Sequence, residues 1–212
     1  MNAYELMIST NRRLILGEIL TDSEKADIAR KLLAAAEIPE KPVRQYGTES
    51  NSKARGTLYF SPARNDGKKL KTVLGQTPKT NILNDNMYEL EILRLLCLFA
   101  PGNPIIAEMT AQTLNRLKAT CFGYHGCSLG ECFDSALVVL RFLTVAASSE
   151  AKWMKKIVDV YIRNHANKKR VKAVEWYYWL CLTELPPAFN TNEIENYESQ
   201  IIAWQTIKPR FK

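Results

Sequence analysis

Residues 96–106 read Leu-Cys-Leu-Phe-Ala-Pro-Gly-Asn-Pro-Ile-Ile, and within that short stretch one helix is stopped and another is started. Pro101 lacks the amide that the next turn would need, and Gly102 is free to leave the helical path. Asn103 can accept hydrogen bonds from first-turn amides. Pro104, at the first helical position, loses only an amide that would have no partner there. Upstream, from near Asn86, Leu90, Leu93, Leu96 and Cys97 recur at helical steps, and downstream a helical pattern continues to about Thr120. Helices joined by so short a connection pack as antiparallel neighbours.

The same punctuation extends to both ends of the chain. Residues 3–20 form an N-terminal helix with Leu6, Met7, Leu14 and Ile15 on one stripe. Thr21-Asp22-Ser23-Glu24 matches the capping box, in which hydroxyl and carboxylate satisfy each other's backbone amides, and it opens a helix carrying Ile28, Leu32 and Ala36 that Pro39 ends. Ser128-Leu129-Gly130-Glu131 reads as a second capping box, opening a helix with Leu137, Val138, Leu140 and Leu143. Ser148 or Ser149 caps the next helix, to about Asn164. Residues 168–185 are apolar almost all round between Trp176 and Leu182 and are expected to be central. Pro186-Pro187 ends that helix, and Asn190 with Glu193 caps a last one running to Pro209.

The reading is an all-α fold: an antiparallel helical bundle or a short HEAT-like helical array. The array is suggested by an offset of 44 residues that aligns Leu93 with Leu137, Leu96 with Leu140 and Met109 with Trp153. Two-helix HEAT units repeat at about 40–47 residues, but any two amphipathic hairpins align at some offset, and no repeat signature residue is present. Residues 1–38 are an N-terminal helical pair. Residues 39–82 are a basic insertion, a small β-hairpin or a loop, and residues 83–212 are the main body, forming one domain with 1–38. The hairpin would pair Gly56–Phe60 with the alternating segment Lys69–Leu74 across Asn65-Asp66-Gly67, because Asp-Gly supplies the positive φ that tight turns need.

Apolar residues at 46 % and only nine glycines and nine prolines exclude collagen-like and wholly disordered chains. Arg94 and Arg141 interrupt the two longest apolar runs, which fall short of the roughly 18 residues that span a bilayer. Glu5 stands where a signal peptide would carry positive charge. No membrane contact is expected, and five cysteines in such a chain are expected as reduced thiols in a cytoplasmic setting.

Cys121, His125, Cys127 and Cys132 are spaced C-x3-H-x-C-x4-C between two helices. Three thiolates and an imidazole are a tetrahedral donor set that suits zinc, and Gly123, Gly126 and Gly130 let the loop close. The competing reading is packing, since free cysteine is among the most buried residue types and no C-x2-C pair is present. A third makes Cys132 a nucleophile at a helix start with His125 as base, although no Asp or Asn is placed to orient that ring. Cys97 and Cys181 lie on apolar helices and read as core. No P-loop, dinucleotide glycine motif, H-E-x-x-H or G-x-S-x-G is present. The carboxylates read as surface groups on helix faces.

The net charge of +7 is unevenly placed. Residues 41–80 hold nine cations against two acids, residues 152–172 hold eight against one, and the rest of the chain nets to −7. Lys152, Lys155, Lys156, Asp159 and Arg163 recur on one helical face opposite Trp153, Ile157, Val160 and Met154, Val158, Tyr161. With Lys168, Lys169, Arg170 and Lys172, and with Arg64, Lys68, Lys69 and Lys71 of the insertion, the cations of that face could neutralise phosphates, which needs no sequence-specific geometry. A solvated face that keeps the protein soluble is the plain alternative.

The expected function is therefore a non-catalytic binding module for an acidic macromolecule, nucleic acid ahead of an acidic protein surface. The rivals are a protein adaptor or inhibitor of a nucleic-acid enzyme using the same cations, and a zinc- or thiol-dependent enzyme at residues 121–132. A salt titration of DNA and RNA binding separates the first two, and metal analysis tests the third. Circular dichroism of the chain should show helix well in excess of strand; the reverse would defeat the fold reading.

Overall fold

The computed structural model describes residues 1–37, 56–62, 70–127, 130–165, 172–187, 189 and 202. They form seven α-helices: α1 (Ala3–Ile15), α2 (Asp22–Leu33), α3 (Asn81–Phe99), α4 (Pro104–Lys118), α5 (Glu131–Ala146), α6 (Ala151–His165) and α7 (Lys172–Glu184). A π-helical turn, Cys121–His125, sits between α4 and α5. Among the described residues there is no strand, and no helix is long and apolar enough to cross a membrane.

Local chemistry places several boundaries as expected. Thr21 and Glu24 exchange the reciprocal capping bonds that open α2, and Asn103 accepts from the amides of Ile105 and Ile106 with Pro104 at the first helical position of α4. A further capping box, Asn2 with Glu5, opens α1. That helix ends at Ile15, not at residue 20, because Gly17 turns out at φ +82°. The second half of the expected capping box is overturned. Gly130, with no side-chain cap, precedes α5, and the Glu131 carboxylate instead accepts from the amides of Lys79 and Thr80 and from the Thr80 hydroxyl. Glu131 thus caps α3, which begins at Asn81, five residues earlier than its apolar stripe suggested. Ser128, the residues 63–69 around the expected hairpin turn, residues 168–171 and, apart from residue 202, the expected helix from 190 to 209 lie outside the described residues.

The core is built around α3, whose residues Leu83 to Leu96 are all buried. It packs most extensively on α5, and α1, α2 and α4 also lie against it. In α7, Tyr177 to Leu182 are buried and pack against α5. The flanks of the insertion are irregular and substantially buried: Tyr59, Phe60, Thr72, Val73 and Leu74 join the interior.

An all-buried helix with Asn84, Asp85, Asn86, Glu89, Glu91 and Arg94 in it needs partners for every charge. Arg116 of α4 donates to Glu89 at 2.7 Å and to Asn86 at 2.8 Å. The Glu89 carboxylate also accepts from the amides of Leu58 (2.6 Å) and Tyr59 (2.8 Å), and Asn84 accepts from Leu70 N–H at 2.8 Å. Both flanks of the insertion are therefore tied to α3. A second network centres on Arg141 of α5, which donates to Glu91, to Asn11 at 3.0 Å and to both oxygens of Glu184 at 2.9 Å. Tyr177 donates to Glu91 at 2.5 Å, and Arg94 pairs with Glu184 at 3.0 Å. The expectation that the carboxylates decorate helix surfaces fails here, because burying Arg94, Arg116 and Arg141 obliges the fold to bury acids with them.

Arg141 and Arg94 differ in what their loss would leave behind. Arg141→Met would take from buried Glu91 its cation and leave Glu184 to Arg94 alone, and should cost about 3–5 kcal/mol in urea unfolding. Arg94→Met leaves Glu184 held by Arg141 and removes two nitrogens without an acceptor among the described residues, so it should cost under about 1 kcal/mol.

Candidate metal centre and cationic face

The connection from α4 to α5 is built from short-range hydrogen bonds. The Thr120 hydroxyl donates to Leu117 C=O at 2.8 Å and accepts from Gly123 N–H at 2.9 Å, which starts the π turn. Gly123 is packed tightly enough that a Cβ would run into the Leu117 carbonyl and the Thr120 hydroxyl. Gly126 then reverses the chain at φ +74°, and a Cβ there would lie 2.9 Å from Val160 Cγ2. Cys127 N–H closes the loop on Cys121 C=O at 3.0 Å.

This path brings Cys121, Cys127 and Cys132 together, with all three sulfurs within 4.8 Å of one another and Cys121 and Cys132 3.8 Å apart. Each is half-buried, and the three could hold a metal ion. His125 does not join them. It is exposed, with its ring edge-on to Tyr124 at 5.7 Å. Burial and the two neighbouring thiols push the Cys132 thiol up to about 12, opposite to the lowering that a helix start alone would produce. A bound cation inverts that logic, because it stabilises the thiolates that otherwise repel.

Cys97 and Cys181 belong to the interior. Cys97 packs against the core with its sulfur 3.3 Å from the Thr110 hydroxyl, and Cys181 is fully buried, donating to Leu137 C=O at 3.4 Å. Burial pushes both thiols up. Arg141 and Tyr177 are sealed in the buried network, and their titrations are displaced upward. Burial opposes the charge of Arg141, but Glu184 and Glu91 outweigh it; burial and Glu91 raise Tyr177. The cavity beside Tyr177 holds about 10 Å³, room for a single water and not for a substrate.

Of the proposed cations, Lys152, Lys155 and Lys156 stand exposed along α6, while Trp153, Met154, Ile157 and Val158 face inward. Lys155 pairs with Asp159 at 2.8 Å, and Lys156 lies 4.4 Å from the centre of the Tyr124 ring. Lys71 is exposed elsewhere: its amide and carbonyl both bond the Tyr4 hydroxyl of α1. Arg163 lies on α6 and Lys172 opens α7. Arg64, Lys68, Lys69, Lys168, Lys169 and Arg170 fall outside the described residues. One cation was not anticipated. Lys118, from the last turn of α4, pairs with Glu150 at 2.9 Å and lies 5.4 Å from the Trp153 ring. The basic last turn of α4 was its only signal in the sequence.

The thiol loop and α6 are neighbours. The Trp153 indole donates to Gly123 C=O at 2.6 Å, and Tyr124 packs edge-on to Trp153 at 5.6 Å. No protein-family model, curated protein or solved structure matches this chain. Gly123→Ala should disrupt the turn by about 1–3 kcal/mol through overpacking. The Trp153 indole proton resonance should move in the variant, and an unchanged spectrum would mean that the turn does not hold α6.

Proposed function

We propose that the chain is a non-catalytic helical binding module for an acidic macromolecule, with nucleic acid as the ligand and α6 as the contact face. The observation that carries this reading is the set Lys152, Lys155 and Lys156, exposed along one side of a helix whose other side is core. Lys118 and the half-exposed Tyr124, with 39 % of its surface accessible, extend that face with a further cation and an aromatic ring. Phosphates are attracted by such a face without base-specific geometry, and an exposed ring can stack on an unpaired base. The Lys155–Asp159 pair is exposed and therefore weak, so a phosphate can displace the carboxylate at small cost.

We read the scaffold as an antiparallel bundle on the ground that α1, α2, α4 and α5 all pack against α3. Five free thiols suit a reducing, cytoplasmic setting. The thiol cluster has a structural part in this reading, with zinc as the ion its donors prefer.

The test is binding to generic single- and double-stranded DNA and RNA across salt concentration. If six phosphates are contacted, affinity for duplex DNA should fall by about 10³ between 50 and 200 mM salt. Reversing Lys155 and Lys156 to Glu should weaken binding and flatten the salt slope while the protein stays folded, since both side chains face solvent. Undiminished binding by that variant would remove α6 from the site. A shallow salt response with losses confined to a few residues would identify a protein partner instead.

A further inference from the structure

We propose that Cys121, Cys127 and Cys132 form a zinc site with three thiolate ligands and a fourth position open to solvent. The thiol cluster rests on its own geometry, so its failure would leave the cationic face untouched. Zinc binds thiolate at about 2.3 Å in tetrahedral geometry, which sets two sulfurs on one ion roughly 3.8 Å apart. Cys121 and Cys132 stand 3.8 Å apart, and Cys127 is within 4.8 Å of both, so the third ligand needs to move by only about an ångström.

The surrounding backbone already does the work of assembling the ligands. Cys121 opens the π turn, Cys127 follows the Gly126 reversal and is bonded to the Cys121 carbonyl, and Cys132 lies in the first turn of α5. A site in which three donors converge before the ion arrives avoids most of the ordering entropy of binding. All three cysteines are half-buried residues, near the surface and not sealed in the core.

Charge decides what the site can hold. Three neutral thiols lose three protons on binding a divalent ion, leaving a centre of net charge −1. The amides of the first turn of α5, where Cys132 sits, face that charge with the positive end of a helix dipole. Soft sulfur donors select zinc and related thiophilic ions and disfavour magnesium or calcium, which take oxygen ligands. His125 is exposed and lies outside the sulfur cluster, and it is assigned no bond to the metal, which leaves the fourth position to water. Occupancy would tie the π turn to α5 through sulfur as well as through backbone, and α6 rests on that turn.

The experiment uses the full chain, reduced and purified without chelator. Metal analysis should find about one zinc per chain, and cobalt(II) added to metal-free protein should give the intense visible bands of thiolate-bound tetrahedral cobalt, with magnesium giving no competition. A disulfide thiol reagent should count five reactive thiols in the unfolded chain, and in the folded protein it should count three more after a chelator has removed zinc than before. Cys127→Ser should weaken zinc binding by about 100-fold or more, whereas His125→Ala should leave it within a few-fold. Should Cys127→Ser fail to fold, the wild-type cobalt spectrum and the His125→Ala measurement still decide the question. The proposal is overturned if the reduced wild-type chain takes up no zinc or cobalt, if thiol reactivity in the folded protein is the same with and without zinc, or if His125→Ala abolishes binding, which would place the imidazole among the ligands.

Discussion

Backbone amides that leave water must find acceptors, and where the chain between α2 and α3 runs against the core, α3 supplies them. Leu58 and Tyr59 have no helix or ladder to satisfy their amides, and both donate to the single carboxylate of Glu89. A buried carboxylate in turn requires a cation, and Arg116 provides it from α4 while also holding Asn86. One irregular segment thereby fixes the composition of two helices. Leu70 repeats the device on the other flank with Asn84. A helix of leucine and isoleucine in place of α3 would bury more apolar surface, yet it would leave those amides orphaned at a cost of about 1–3 kcal/mol each.

The second network follows the same rule at the junction of α1, α3, α5 and α7. Arg141 has no exposed surface, and it is surrounded by Asn11, Glu91 and Glu184, each from a different helix. Burying this group stabilises little on balance, because desolvation offsets most of the Coulombic gain. Its consequence is specificity of packing. Any slip of α5 along α3 separates the guanidinium from Glu91, and any shift of α7 breaks the two bonds to Glu184. Leucines sliding past leucines would carry no such penalty.

What was legible in the sequence was the chemistry that acts over a few residues. Thr21 with Glu24, and Asn103 with Pro104, placed two helix starts because donor and acceptor lie in the same turn. The start of α3 was not legible, since its cap is Glu131, some 51 residues onward, and read locally that residue belonged to a box of its own. Arg94 and Arg141 were visible as interruptions of apolar runs, but the acids that answer them were read as surface groups because pairing across helices leaves no mark in spacing. At the loop, the spacing found the three cysteines and also took in His125. His125 ends the π turn and stays exposed, whereas Cys127, past the Gly126 reversal, joins Cys121 and Cys132.

The loop and α6 cannot be considered separately, because they share atoms at the contact. Gly126 has no room for a side chain against Val160, Gly123 offers its carbonyl to the Trp153 indole, and Tyr124 lies beneath Lys156. Each contact comes from a residue within or next to the π turn and reaches the helix that carries the exposed lysines. A π turn packs one residue more than an α turn would into the same rise, and such turns persist where surrounding contacts hold them. Here the Thr120 hydroxyl and the Cys127–Cys121 backbone bond do so from inside the loop, and α6 does so from outside. Anything that stiffens the thiol cluster therefore stiffens the bed on which Lys152, Lys155 and Lys156 are displayed. Rigid placement lowers the entropy those long side chains lose on meeting a phosphate only at their base, since their ends stay in solvent. The loop can consequently set where Lys152, Lys155 and Lys156 stand without constraining their charged ends.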